Sequence, residues 1–170
     1  MDKLPPHDTA TEDALIGAIL VDPSLLPVVQ SIIQPGDFHQ DSARWAYEAM
    51  LAVQSRGQAP NQLNVLYEIK RAGHLEALRH QLYGGYLSLC VAGCPGLGAG
   101  QYAHEVHRMA VGRRLIEAGG AIARIGYECR QSAAKMVSAA LVIVDNLDDR
   151  RQEIKTPATG TKPLIWGLAE

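Results

Sequence analysis

From Ala99 to Arg151 the apolar residues recur at steps of three and four, with one interruption near Tyr127–Gln131. Tyr102, Ala103, Val106, Ala110 and Leu115 follow this rhythm first, and Ala134, Val137, Leu141, Val144 and Leu147 resume it from about Ser132. A strand would need alternation, so the spacing predicts two long helices folded back on each other as an antiparallel hairpin, the second with a coiled-coil-like seam. Gly112, Gly119, Gly120 and Gly126 each weaken the first of these helices.

The preceding residues break into shorter pieces. Thr9 and Glu12 have capping-box spacing ahead of Leu15, Ile16, Ile19 and Leu20. Asp22-Pro23 ends that helix and starts a short one carrying Leu26, Val29 and Ile33, which stops at Gln34-Pro35-Gly36. A third helix is expected over Ser42–Ser55, with Ala46, Tyr47, Met50 and Val53 inward and Gly57 as its exit. A fourth is capped by Asn61 and closed by Gly73, with Val65, Leu66 and Ile69 inward; a fifth covers Leu75–Tyr83. Residues 84–100 read as a short helix around Tyr86–Cys90 followed by a glycine-rich loop.

Only 5% of the residues are aromatic, and β-branched residues never alternate with polar ones over a useful length. The expected fold is therefore all-α: a compact multi-helix bundle over 1–98, an extended antiparallel helical hairpin over 99–151, and a linker or tail over 152–170 that holds the apolar Leu164-Ile165-Trp166. A net charge of -2 argues against grip on nucleic acid by bulk electrostatics. Three cysteines make no disulfide framework and fit a reducing, cytoplasmic setting; the N-terminus carries no apolar signal core.

No catalytic constellation is visible. Serines 31, 42, 55, 88, 132 and 138 fall in helices or at caps, and Glu12, Asp13, Glu48, Glu68, Asp145, Asp148 and Asp149 read as helix-start or outer-face carboxylates. No G-x-x-x-x-G-K-[ST] phosphate loop occurs, so nothing here can cradle the phosphates of ATP; Gly96-Leu97-Gly98 lacks the strand and acidic residue of a dinucleotide site. No cofactor is expected. Cys90, Cys94, His104 and His107 could together hold zinc, but the cysteine spacing departs from the usual knuckle and Cys90 lies in an apolar helix, so packing is the favoured reading. Arg108, Arg113, Arg114, Arg124 and Arg130 read as a solvated face with intersubunit ion pairs rather than a phosphate track.

Several of these motifs, in this order, resemble the N-terminal domain of DnaB-family replicative helicases. Pro5-Pro6 and then Glu12 before A-L-I-G-A-I-L, the Gly36-Asp37-Phe38 turn, Tyr47-Glu48-Ala49-Met50, Arg56-Gly57-Gln58, and Tyr102-Ala103-x-x-Val106 followed by Arg113-Arg114-Leu115-Ile116 are all similar to that family's pattern. Cys94-Pro95-Gly96-Leu97-Gly98 departs from it. The resemblance implies a non-catalytic domain that pairs through its hairpin, forms a collar as a trimer of dimers, and receives primase and helicase-loader contacts. The residues expected at the oligomer interface are Leu115, Ile116, Ile122, Ile125, Val137, Leu141, Val144 and Leu147. Two alternatives stand beside it: a helicase-binding domain like that of DnaG-type primases, and a small metal-binding regulator built on the Cys/His set.

Overall fold

The computed structural model describes residues 4–82, 85–94, 98–130 and 132–153. Among these residues it contains eight α-helices, two short 3-10 turns and no strand. The expected tail, with Leu164-Ile165-Trp166, and Tyr83 at the end of the fifth helix lie outside the described residues.

Helix α1 (Thr9–Val21) is the hub. Leu15, Ile16 and Ile19 are wholly buried, and Ala14 and Ala18 nearly so, because α1 is apolar on most of its circumference and can only live inside a bundle. Its cap is not the expected one. Asp8, not Thr9, sits at the N-cap: its Oδ1 accepts from the Thr11 amide at 3.2 Å and its Oδ2 from the Thr11 hydroxyl at 2.7 Å. Those bonds to the charged form hold the Asp8 carboxyl below its usual range. Glu12 is thereby released from the capping box.

Asp22 then caps the Pro23–Leu25 turn through the Ser24 amide, 3.0 Å, and leads into α2 (Leu26–Gln30), which buries Leu26 and Val29. A second 3-10 turn, Pro35–Asp37, precedes α3 (Asp41–Ser55). On α3 the expected Ala46, Tyr47, Met50 and Val53 are all buried, and Tyr47 packs on Phe38 with ring centres 5.3 Å apart. Gly57, at φ +73°, turns the chain out of α3. Asn61 caps α4 (Gln62–Arg71) by accepting from the Leu63 and Asn64 amides, both at 3.0 Å, and the Asn64 side chain returns to the Asn61 amide at 2.8 Å. Gly73, at φ +83°, closes α4 before α5 (Leu75–Leu82).

Helix α6 (Tyr86–Ala92) lies along α1, burying Tyr86, Leu87 and Cys90. The long α7 (Ala99–Glu128) follows as one uninterrupted helix; at 30 residues its glycines reduce stability without breaking it. Ala99, Ala103, Val106 and Ala110 are buried against the bundle, so the first half of α7 belongs to the core as much as to the hairpin. On α7 past Ala110 only Ala118 is buried. Cys129, in the left-handed region at φ 43°, ends α7, and α8 (Ala133–Glu153) returns along it.

Candidate assembly surface

Two features set this molecule apart from a plain helical bundle: a polar clamp that grips α7 where it leaves the core, and an apolar hairpin surface beyond it.

The clamp centres on Asp37, only 2% exposed at the end of the Pro35–Asp37 turn. A carboxylate buried this deeply needs donors. Its Oδ2 accepts from the Gln34 amide at 3.0 Å; Arg114 Nη2 approaches Oδ1 and His107 Nδ1 approaches Oδ2, each at 3.5 Å. Arg113 reaches past its neighbour to the backbone. It donates from Nη1 to the Pro6 carbonyl at 2.9 Å and from Nη2 to the Asp37 carbonyl at 2.5 Å. The Pro6 ring lies against Gly112, where an added Cβ would stand 2.9 Å from Pro6 Cγ. One residue on, the His7 ring stacks on His39 with centroids 4.5 Å apart. The N-terminal Leu4–Asp8 segment is thus strapped across α7.

Arg113 and Arg114 correct the expectation of a solvated arginine face. Both are half-buried and bonded within their own chain, because α7 carries them past a buried carboxylate and two inward-facing carbonyls. Arg108 does stay at the surface, paired with Glu105 one turn back (Nε–Oε2 2.9 Å).

Two acidic residues also depart from expectation. Glu12, expected at the surface, is 2% exposed and accepts from the His39 amide at 2.7 Å and the Gln40 amide at 2.9 Å, the free donors ahead of α3. Burial nevertheless pushes its carboxyl up, outweighing the two amides and Arg113. Asp13 is half-buried and takes the Tyr86 hydroxyl at 2.7 Å; burial raises it as well.

Beyond the clamp the hairpin is apolar and open. Leu115 and Ile116 on α7 and Val137, Leu141 and Val144 on α8 are exposed, Val137 at 61% and Leu141 at 57%. Ile122, Ile125 and Leu147 are half-buried where α7 and α8 meet. Val111, Val142 and Tyr127 are exposed too, residues that a single-stripe reading of period passes over. The structure does not gather Cys90, Cys94, His104 and His107. Cys90 is buried, and its thiol is pushed up to about 12 by that burial; His104 faces solvent, and His107 turns to Asp37. Among the described residues no group of three or more His, Cys, Asp or Glu side chains could hold a metal ion, and no helix is long and apolar enough to cross a membrane.

Among the described residues, fold and surface together define an all-helical domain with exposed apolar residues along its hairpin. Residues 4–108 match the family described as DnaB-like helicase N terminal domain. The chain is 29% identical over 139 residues to the replicative DNA helicase DnaB of Leifsonia xyli, covering 82% of this chain and 30% of that protein. Against the replicative DNA helicase DnaC of Bacillus subtilis it is 31% identical over 142 residues, covering 82% and 30%. The crystal structure of the N-terminal domain of DnaB helicase from Mycobacterium tuberculosis superposes with a TM-score of 0.76 at 29% identity, over 85% of this chain and 99% of that one. The chain belongs to the DnaB-like helicase N-terminal domain family. It spans less than a third of the length of these two helicases.

Proposed function

We propose that this domain self-associates through its hairpin, as a dimer and in a larger ring as a trimer of dimers, and performs no chemistry of its own. The observation that carries this reading is the apolar surface of α7 and α8: Leu115, Ile116, Val137, Leu141 and Val144 lie open to water, although apolar residues of this size drive association when they are contiguous. Ile122, Ile125 and Leu147, half-buried between the two helices, complete the interface. The bundle then presents its outer helices to primase or a helicase loader. Leu63 and Tyr67, one turn apart on α4 and both more than 60% exposed, favour that role. A cytoplasmic setting accords with three free cysteines.

Light scattering across a wide concentration range tests the reading. A mass at two or six times 18.4 kDa is expected. A strict monomer at every concentration would overturn self-association and leave one-to-one docking.

A further inference from the structure

We propose that Arg113, with Pro6, Gly112 and Asp37, is a brace that fixes the direction in which the free part of α7 leaves the bundle, making these positioning residues for the assembly. The inference rests on the hairpin-mediated association put forward above.

The buried face of α7 is continuous only to Ala110; after it the helix has water around most of its circumference. The brace lies at this exit. On one side the Pro6 ring fills the notch left by Gly112. On another, the Arg113 guanidinium joins two backbone carbonyls from segments far apart in sequence, Pro6 O at 2.9 Å and Asp37 O at 2.5 Å. Arg114 adds its approach to the Asp37 carboxylate at 3.5 Å. A planar fork of donors holds its two carbonyls in a fixed relative direction, which a rotating ammonium does not, and a fork gripped from two segments cannot rotate freely.

Direction matters because the remainder of α7 is a lever. From Arg113 to Glu128 it runs about 23 Å, so a play of about 10° at the exit displaces the hairpin turn by about 4 Å, roughly three-quarters of the rise of one helical turn. Knob-into-hole packing between hairpins does not survive such a shift. The brace therefore sets the geometry of association, while the apolar surface sets its strength.

The test is a spin-label distance between native Cys129, exposed at the hairpin turn, and Glu48→Cys, exposed on α3. Cys94→Ser removes the competing thiol, and labelled chain is diluted into unlabelled chain so that only intrachain distances are read. In Arg113→Gln, and in a chain lacking residues 1–7, the distance distribution is expected to shift or broaden by about 4 Å, the lever's displacement, while helicity stays unchanged. Arg113→Lys, which keeps the charge but not the fork, is expected to restore little. A distribution identical to that of the parent in both variants would overturn the brace, as would unfolding of both, which would make these contacts core. If the parent is strictly monomeric, self-association fails, and the distance measurement still decides whether the brace exists.

Discussion

The carbonyl of Cys90 in α6 lies against the bare Cα of Gly17 in α1: a Cβ built on Gly17 would stand 2.6 Å from the Cys90 carbonyl carbon and closer to its oxygen. The two helices meet backbone to backbone, which only glycine allows. It accounts for a glycine inside an otherwise continuous apolar helix, where it gives up helix propensity.

Gly17→Ala is therefore expected to destabilise the domain by about 3 kcal/mol or more, although alanine is the better helix former. The atom in the way is backbone, so relief requires α6 to move off α1, which also pulls Tyr86 from Asp13. Urea unfolding compared with the parent measures this; a variant as stable as the parent would mean that α6 is held elsewhere.

Leu141→Asp separates the two homes that an apolar stripe can have. Leu141 is 57% exposed in the single chain, so a carboxylate there costs the folded monomer within about 0.5 kcal/mol. In a hairpin-to-hairpin contact the same charge would be buried without a partner. Helicity and the unfolding midpoint are expected to stay near those of the parent while the mass falls to 18.4 kDa. Loss of fold instead would place Leu141 in an intrachain core.

Period and punctuation made the helices legible. Asn61 and Gly73 bound α4 as expected, and Leu26, Val29 and Ile33 are buried at the predicted steps. Period says nothing about partners far apart in sequence, and the long-range polar contacts are such partners. Glu12 stood at the right distance from Thr9 for a local cap, yet its partners are His39 and Gln40. Arg113 and Arg114 looked like surface charges because Asp37, 76 residues before Arg113 in the Arg113–Asp37 bond, carries no local mark of burial. Glycine is only a partial signal: Gly17 and Gly112 mark places where another segment comes close, whereas Gly119, Gly120 and Gly126 interrupt α7 and meet nothing within 4 Å.

The buried Glu12 gives a pH dependence whose sign is fixed. Burial raises its carboxyl above 4.5, so the folded chain holds that proton more tightly than the unfolded one. Its contribution to stability is fully present below 4.5, falls as pH rises through the folded value, and is level above it. Glu12→Gln abolishes this slope. Unfolding midpoints of parent and variant between about pH 4 and 8 are expected to differ most in favour of the parent at the acid end. A difference that grows towards neutral pH would show the two amides outweighing desolvation.

Gly112 and Gly120 share a helix and differ in what surrounds them. An added Cβ at Gly120 meets nothing within 4 Å, whereas at Gly112 it meets Pro6 at 2.9 Å. Both positions are interior to α7, so replacing either by alanine gains about 0.5–1 kcal/mol of helix preference. Gly120→Ala is expected to keep that gain and raise the thermal midpoint. Gly112→Ala is expected to lose most of it, because the Pro6 ring must back away and draw the Pro6 carbonyl from Arg113. The two midpoints should therefore separate in favour of Gly120→Ala, and in a chain lacking residues 1–7 they should converge, since the strap that distinguishes the two glycines is gone. Equal midpoints in the full chain would mean that the Leu4–Asp8 segment does not rest on α7 in solution.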